Sequence, residues 1–151
     1  MYYFDKDASH KAISFIETFI THTKGELTVK PFLLEDWQKE IVGDIFGWKN
    51  KDTGFRKYRT VFIEVPRKNG KTTLCAAIGI YMLFADNERG AEIYAAAGDR
   101  NQAGIVFEIA KSMILQNPEL EQRGKVFRNS ITNQSKGNFF QAISSDSKTK
   151  H

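Results

Sequence analysis

The run Thr60-Val-Phe-Ile-Glu-Val65 is followed by Pro66-Arg-Lys-Asn-Gly-Lys-Thr-Thr73 and then by apolar residues from Leu74 to Phe84. β-branched and aromatic residues predict a strand, and the long apolar stretch without proline predicts a helix. Strand, glycine-bearing turn and helix in that order point to layered α/β folds. The turn carries a second constraint, because Arg67, Lys68 and Lys71 crowd a single bend. Like charges repel there unless an anion sits among them. A glycine turn running into a helix offers unpaired backbone N–H groups and the positive end of the helix dipole, which is how a phosphate-binding loop works. Pro66, Arg67, Lys68, Asn69, Gly70, Lys71, Thr72 and Thr73 are therefore candidate nucleotide ligands. Lys71 would reach the β- and γ-phosphates, and the Thr72 hydroxyl would ligate Mg²⁺, a hard cation that takes oxygen ligands. Val65 stands where the usual GxxxxGK[ST] pattern begins with glycine. The alternative is an ordinary strand-to-helix turn with a solvated Lys71.

Periodicity places other elements around this one. Residues from Asp7 to about His22 read as a helix, with Ala12, Ile13, Phe15, Ile16, Phe19 and Ile20 on one face and Asp7 as its cap. A second helix, from Glu35 to Trp48, carries the stripe Leu34, Trp37, Ile41, Val42, Ile45 and Phe46. Gln38 falls inside that stripe. A buried amide needs partners, and either the backbone or the donor–acceptor edge of an adenine would serve. Arg56-Lys-Tyr-Arg59 is a basic cluster, read as a solvated rim or a phosphate or DNA contact. The helix from Lys71 is apolar nearly all round, so Cys75 is expected as a small core residue. A strand over Ala91–Ala97 and a helix from about Gln102 to Gln116 follow, stopped by Asn117-Pro118. Short strands at 125–127, 130–131 and 139–144 suggest a hairpin or meander beside the main sheet.

Strand–helix–strand–helix order predicts parallel strands, with ligands beyond their carboxyl ends. That puts the turns at 66–71 and 98–101 on one edge and makes Asp99 and Arg100 further site candidates. The chain has 151 residues, 41% of them hydrophobic, and a net charge of +4, which suits one globular domain and permits a polyanion partner. One cysteine excludes an internal disulfide, no leader or membrane-spanning run is expected, and His10, His22 and His151 form no metal-ligand pattern.

Three segments together resemble a known family: Phe32-Leu-Leu-Glu-Asp-Trp-Gln38, Ile63-Glu-Val-Pro-Arg-Lys-Asn-Gly-Lys-Thr72 and Tyr94-Ala-Ala-Ala-Gly-Asp-Arg-Asn-Gln-Ala103. They resemble the large subunit of tailed-bacteriophage terminases, as does Phe140-Gln-Ala-Ile-Ser-Ser-Asp-Ser-Lys-Thr-Lys-His151. The likeness covers nearly the whole chain, and the absent leading glycine is usual in that family. It implies a P-loop NTPase fold of RecA/ASCE type, a parallel sheet flanked by helices, incomplete at its C-terminal end. It implies an ATP- and Mg²⁺-dependent motor in the host cytoplasm. That motor packages double-stranded viral DNA as a homo-oligomeric ring, with a portal and a small terminase subunit. Trp37 and Gln38 would then be the adenine motif, and Lys71 and Arg67 the catalytic cations, Arg67 acting on the γ-phosphate. The family's acidic Walker B strand and its nuclease domain would follow His151, so the resemblance implies an N-terminal portion unable to hydrolyse ATP efficiently alone. On this reading 1–58 is a helical lead-in, 59–118 a βαβα core and 119–151 a set of short strands. A superfamily 2 helicase or restriction-motor fragment and a non-catalytic nucleotide-binding module are the alternatives.

Overall fold

The computed structural model describes residues 1–61, 70–97 and 100–144, with backbone only at Ala97, 100–103 and Ser144. The expected first strand over Thr60–Val65 lies largely outside the described residues, as do Pro66–Asn69 and Asp99.

The chain opens with strand β1 (Tyr2–Phe4), which pairs antiparallel with β2 (Trp48–Asn50). Between them run helices α1 (Lys6–Phe19) and α2 (Asp36–Gly47). Asp5, not Asp7, caps α1: its carboxylate accepts the Ala8 N–H at 3.1 Å, and Lys49 at 3.0 Å together with that N–H holds its pKa down. Ala12, Ile16 and Ile20 are fully buried, as the i, i+4 spacing requires. Trp48 ends α2 and starts β2, where its ring meets Phe4 edge-on at 5.2 Å.

Helix α3 (Lys71–Phe84) leads to strand β3 (Glu92–Ala97), helices α4 (Arg100–Leu115) and α5 (Pro118–Arg123), and strands β4 (Lys125–Val126), β5 (Ser130–Asn133) and β6 (Asn138–Ser144). The sheet order is β3-β6-β5-β4. β3 and β6 are parallel, while β6-β5-β4 is an antiparallel meander. The short strands thus do not lie beside the sheet. β6 is a central member of a mixed sheet, and its buried Phe140 carries the core between α3 and α4. The short helix α5 was hidden by Asn117-Pro118, which both stops α4 and starts α5. The Asn117 side chain accepts the Glu119 and Leu120 N–H groups, and proline takes the first helical position.

Two expectations for α3 need correction. Leu74, Ala76, Ala77, Ile80 and Leu83 are fully buried, but the helix is not enclosed all round. Lys71 and Cys75 are exposed, and Ile78 and Met82 are only half-buried. Those residues recur at helical spacing and form one open stripe, so Cys75 is a surface thiol and not a core residue. No described helix is long and apolar enough to cross a membrane.

Candidate functional site

Gly70 is the N-cap of α3 and adopts a left-handed conformation, φ 75°, that L side chains rarely take. Its carbonyl accepts the Leu74 N–H at 2.9 Å, which starts the helix. Glycine brings no capping side chain of its own to this end. A helix start leaves four N–H groups without intrahelical partners, and Lys71, Thr72 and Thr73 occupy that first turn with Lys71 exposed and the threonines half-buried. The arrangement can hold an anion through backbone dipoles, with a cation beside it and hydroxyls for a metal's oxygen shell.

Packing fixes where this helix start lies in the fold. A Cβ on Gly79 would meet Phe140 at 2.2 Å, so α3 lies directly on β6 there. The other end of α3 is bound to Asn133 and Asn138, at the start of β6. The helix therefore runs opposite to β6. Gly79 to Lys71 spans about 12 Å of helix, and Phe140 to Ser144 about 13 Å of strand. Ser144 pairs with Ala97. The N-terminus of α3 and the carboxyl ends of β3 and β6 are therefore level, on the edge where Arg100 begins α4.

Gln38 comes to the same place. It is buried, 4% exposed. Its amide oxygen accepts the Glu35 N–H at 2.8 Å in a capping box that starts α2. Its amide nitrogen lies 3.7 Å from where a Cβ on Gly70 would stand. The oxygen thus has the backbone partner that a buried amide requires, while the nitrogen faces the turn before α3. Trp37 is half-buried against the core and donates its indole N–H to the Glu35 carboxylate at 2.6 Å. Among the expected ligands, the structure brings together Gln38, Gly70, Lys71, Thr72 and Thr73, with Trp37 next to them in sequence. Pro66, Arg67, Lys68 and Asn69 lie outside the described residues.

The basic cluster at 56–59 is more than a solvated rim. Arg56 pairs with Asp86 at 2.5 Å and sits over the Phe46 ring at 5.5 Å. Burial raises the Asp86 carboxyl against the pull of Arg56, and burial pushes the neighbouring Tyr81 hydroxyl up to about 12. The Lys57 ammonium lies within 4.8–5.4 Å of the Tyr2, Trp48 and Tyr58 rings. These cations fasten the chain entering the first predicted strand to α2, β1 and the end of α3. A cleft of about 750 Å³ opens beside them, lined by Asp5, Lys11, Arg59 and Glu92 among others. It adjoins the C-terminal end of α3, and Gly70 to Thr73 are not among its described lining residues.

Comparison with known proteins shows the family and the fold. Residues 36–150 match the family described as terminase large subunit, ATPase domain. The terminase large subunit of Enterobacteria phage HK97 is 30% identical over 113 residues, which is 74% of this chain and 21% of that protein. The crystal structure of the HK97 bacteriophage large terminase superposes with a TM-score of 0.79 at 26% identity, covering 95% of this chain and 28% of that one. The chain thus spans between a fifth and a third of the length of these relatives. By the extent of the match at 36–150, it belongs to the terminase large subunit ATPase-domain family.

Proposed function

We propose that residues 66–73, with Trp37 and Gln38, bind ATP and Mg²⁺ in a P-loop NTPase fold. The chain would be the ATP-binding portion of a viral DNA-packaging motor that couples hydrolysis to translocation of double-stranded DNA. The observation that carries this reading is the meeting of Gln38 with Gly70 at the start of α3. Two separate sequence signals, an amide inside an apolar stripe and a glycine–lysine–threonine turn, converge on one helix N-terminus.

In this reading the first-turn amides and Lys71 take the β- and γ-phosphates. Thr72 supplies a hydroxyl to Mg²⁺, whose other ligands are phosphate oxygens and water. Arg67 stabilises charge spreading over the transferred phosphoryl oxygens. The Gln38 nitrogen donates to the adenine edge, and Trp37 holds Glu35 and so the start of α2. Among the described residues no three His, Cys, Asp or Glu side chains converge on a metal position. Residues 1–151 alone are proposed to bind Mg·ATP and to turn it over far more slowly than the intact protein, and equal rates for the two would reject this. In the whole motor the partners would be viral DNA, a portal, a small terminase subunit and further copies of the chain in a ring, within the host cytoplasm.

Family membership favours this reading over a helicase or restriction motor built on the same glycine–lysine–threonine string. The test is Lys71→Ala in the intact protein, which should abolish DNA-dependent ATP turnover. Retained turnover would reject the assignment. A non-catalytic nucleotide-binding module remains distinguishable, since it predicts heat when Mg·ATP is titrated into the wild type but no ATP turnover by the intact protein.

A further inference from the structure

We propose that Asn133, Lys136 and Asn138, around the β5–β6 turn, are positioning residues for the phosphate-binding end of α3. They grip the opposite end of that helix and so set where Lys71 and Thr72 lie. The proposal deepens the nucleotide reading and rests on it.

A helix C-terminus leaves its last carbonyls unpaired, and a left-handed glycine commonly closes it. α3 has no such glycine: Ala85 and Asp86 follow it, and the first left-handed residue is Asn87, at φ 61°, two positions beyond the C-cap. The β5–β6 turn serves instead. The Leu83 carbonyl accepts from Asn133 Nδ2 at 3.0 Å and from Asn138 Nδ2 at 3.2 Å. The Phe84 carbonyl accepts from Lys136 Nζ at 3.1 Å. Asn138 Nδ2 also donates to the Glu88 carbonyl at 2.9 Å, while its Oδ1 accepts the Ala91 N–H at 2.7 Å. The two asparagines are only 3% and 2% exposed. Burying an amide costs free energy unless its donors and acceptors are paired. Two buried amides aimed at one carbonyl specify a position for that helix end beyond what solubility or a simple helix stop requires.

A second contact holds the middle of the helix, where Gly79 rests on the Phe140 ring. Phe140 lies two residues after Asn138 on the same strand, β6. Held at Gly79 and at Leu83–Phe84, α3 can neither slide along β6 nor roll on it. A helix is stiff over this length, so an axial shift at Phe84 appears at Lys71 with little loss. Hydrogen bonds to phosphate oxygens weaken over a few tenths of an ångström. The clamp therefore bears on phosphate binding from the far end of α3. It also ties α3 to β6, whose carboxyl end lies on the nucleotide edge.

The experiment titrates Mg·ATP calorimetrically into the intact protein and its Asn133→Ala and Lys136→Met variants, with amide exchange measured alongside. Lys136→Met keeps the packed stem and removes only the ammonium, so it guards against a variant that fails to fold. Asn117→Ala is the control, because Asn117 also secures a helix, accepting from Glu119 and Leu120 and donating to the Phe19 carbonyl. In Asn133→Ala the Kd for Mg·ATP should rise several-fold, with roughly tenfold the ceiling set by passing the whole worth of one buried hydrogen bond to the site, and with a smaller rise in Lys136→Met. Exchange should quicken at the Leu74 amide, which is bonded to the Gly70 carbonyl. Asn117→Ala should lower the melting temperature and change neither. Unchanged affinity in both clamp variants, with faster exchange confined to residues 81–91, overturns the proposal. So does an equal loss of affinity in Asn117→Ala. A wild type that takes up no Mg·ATP instead rejects the nucleotide reading itself, and the Leu74 exchange data separate that failure from failure of the clamp.

Discussion

The two ends of α3 are finished in opposite ways. At the C-terminal end the protein supplies partners to the helix carbonyls: two buried asparagine amides, a lysine and the Ala85 N–H, which donates to the Tyr81 carbonyl at 2.8 Å. At the N-terminal end the cap residue is a left-handed glycine with no side chain to offer, and the first helical side chain is an exposed lysine. Both ends face the same requirement, since a helix leaves four groups unpaired at each terminus. Where the chain meets that requirement itself, the end is structural. Where the cap is a glycine beside a buried glutamine, the cap residue leaves the first-turn donors unmet, which suits the proposed nucleotide site. On the proposed reading, the contrast teaches that the site depends as much on what holds the distant end of α3 as on the residues around Gly70.

Substitutions can break or sharpen that contrast. The largest stability effect should come from Asn138→Ala, which strips partners from the Leu83 and Glu88 carbonyls and the Ala91 N–H. Thermal or urea unfolding should show a loss of roughly 3 kcal/mol, at the upper end for buried groups left unpaired. Gly79→Ala comes next, because its methyl would stand 2.2 Å from Phe140. It should cost about 1–3 kcal/mol, and Phe140→Leu in the same chain should recover part of it. A loss that Phe140→Leu does not relieve would mean that the close approach is not the cause.

Arg56→Met should be smaller and depend on pH. Arg56 opposes the burial that raises Asp86 above its ordinary value of 3.8. A carboxyl raised by burial is a penalty on the folded state that is absent below the unfolded value and grows as pH climbs to the folded one. Removing Arg56 enlarges that penalty, so the variant should lose about 1–2 kcal/mol at neutral pH and approach the wild type as pH falls toward 4. A deficit independent of pH would assign the loss to contact with Phe46 alone. The smallest effect belongs to the N-terminal end: Lys71→Ala, expected to abolish turnover, should change stability by less than about 0.5 kcal/mol, as an exposed residue does.

Much of this was legible from local pattern. The faces of α1 and α2 follow from spacing, and Gln38 stood out because an amide broke an apolar stripe. Local signals also misled. Asp7 looked like a cap, yet Asp5 is the residue whose side chain meets the Ala8 amide. The β1–β2 pair was missed because three residues at a terminus carry little pattern and Trp48 reads as helix. Cys75 looked buried because apolar composition does not say on which side a helix meets the sheet. The role of Asn133 and Asn138 left no local trace: polar residues flanking a glycine read as a turn, and their partner, Leu83, lies 50 and 55 residues away in sequence. Side-chain capping across such distances is set by topology, which neither periodicity nor propensity encodes.

The most direct test of the central claim is a ¹⁵N-resolved NMR titration of residues 1–151 with Mg·ATP. The account predicts that the backbone amides of Gly70, Lys71 and Thr72 and the side-chain amide of Gln38 shift together with one dissociation constant, while residues 117–124 stay silent. Shifts confined to the cleft beside Arg56, or none at millimolar nucleotide, would contradict it.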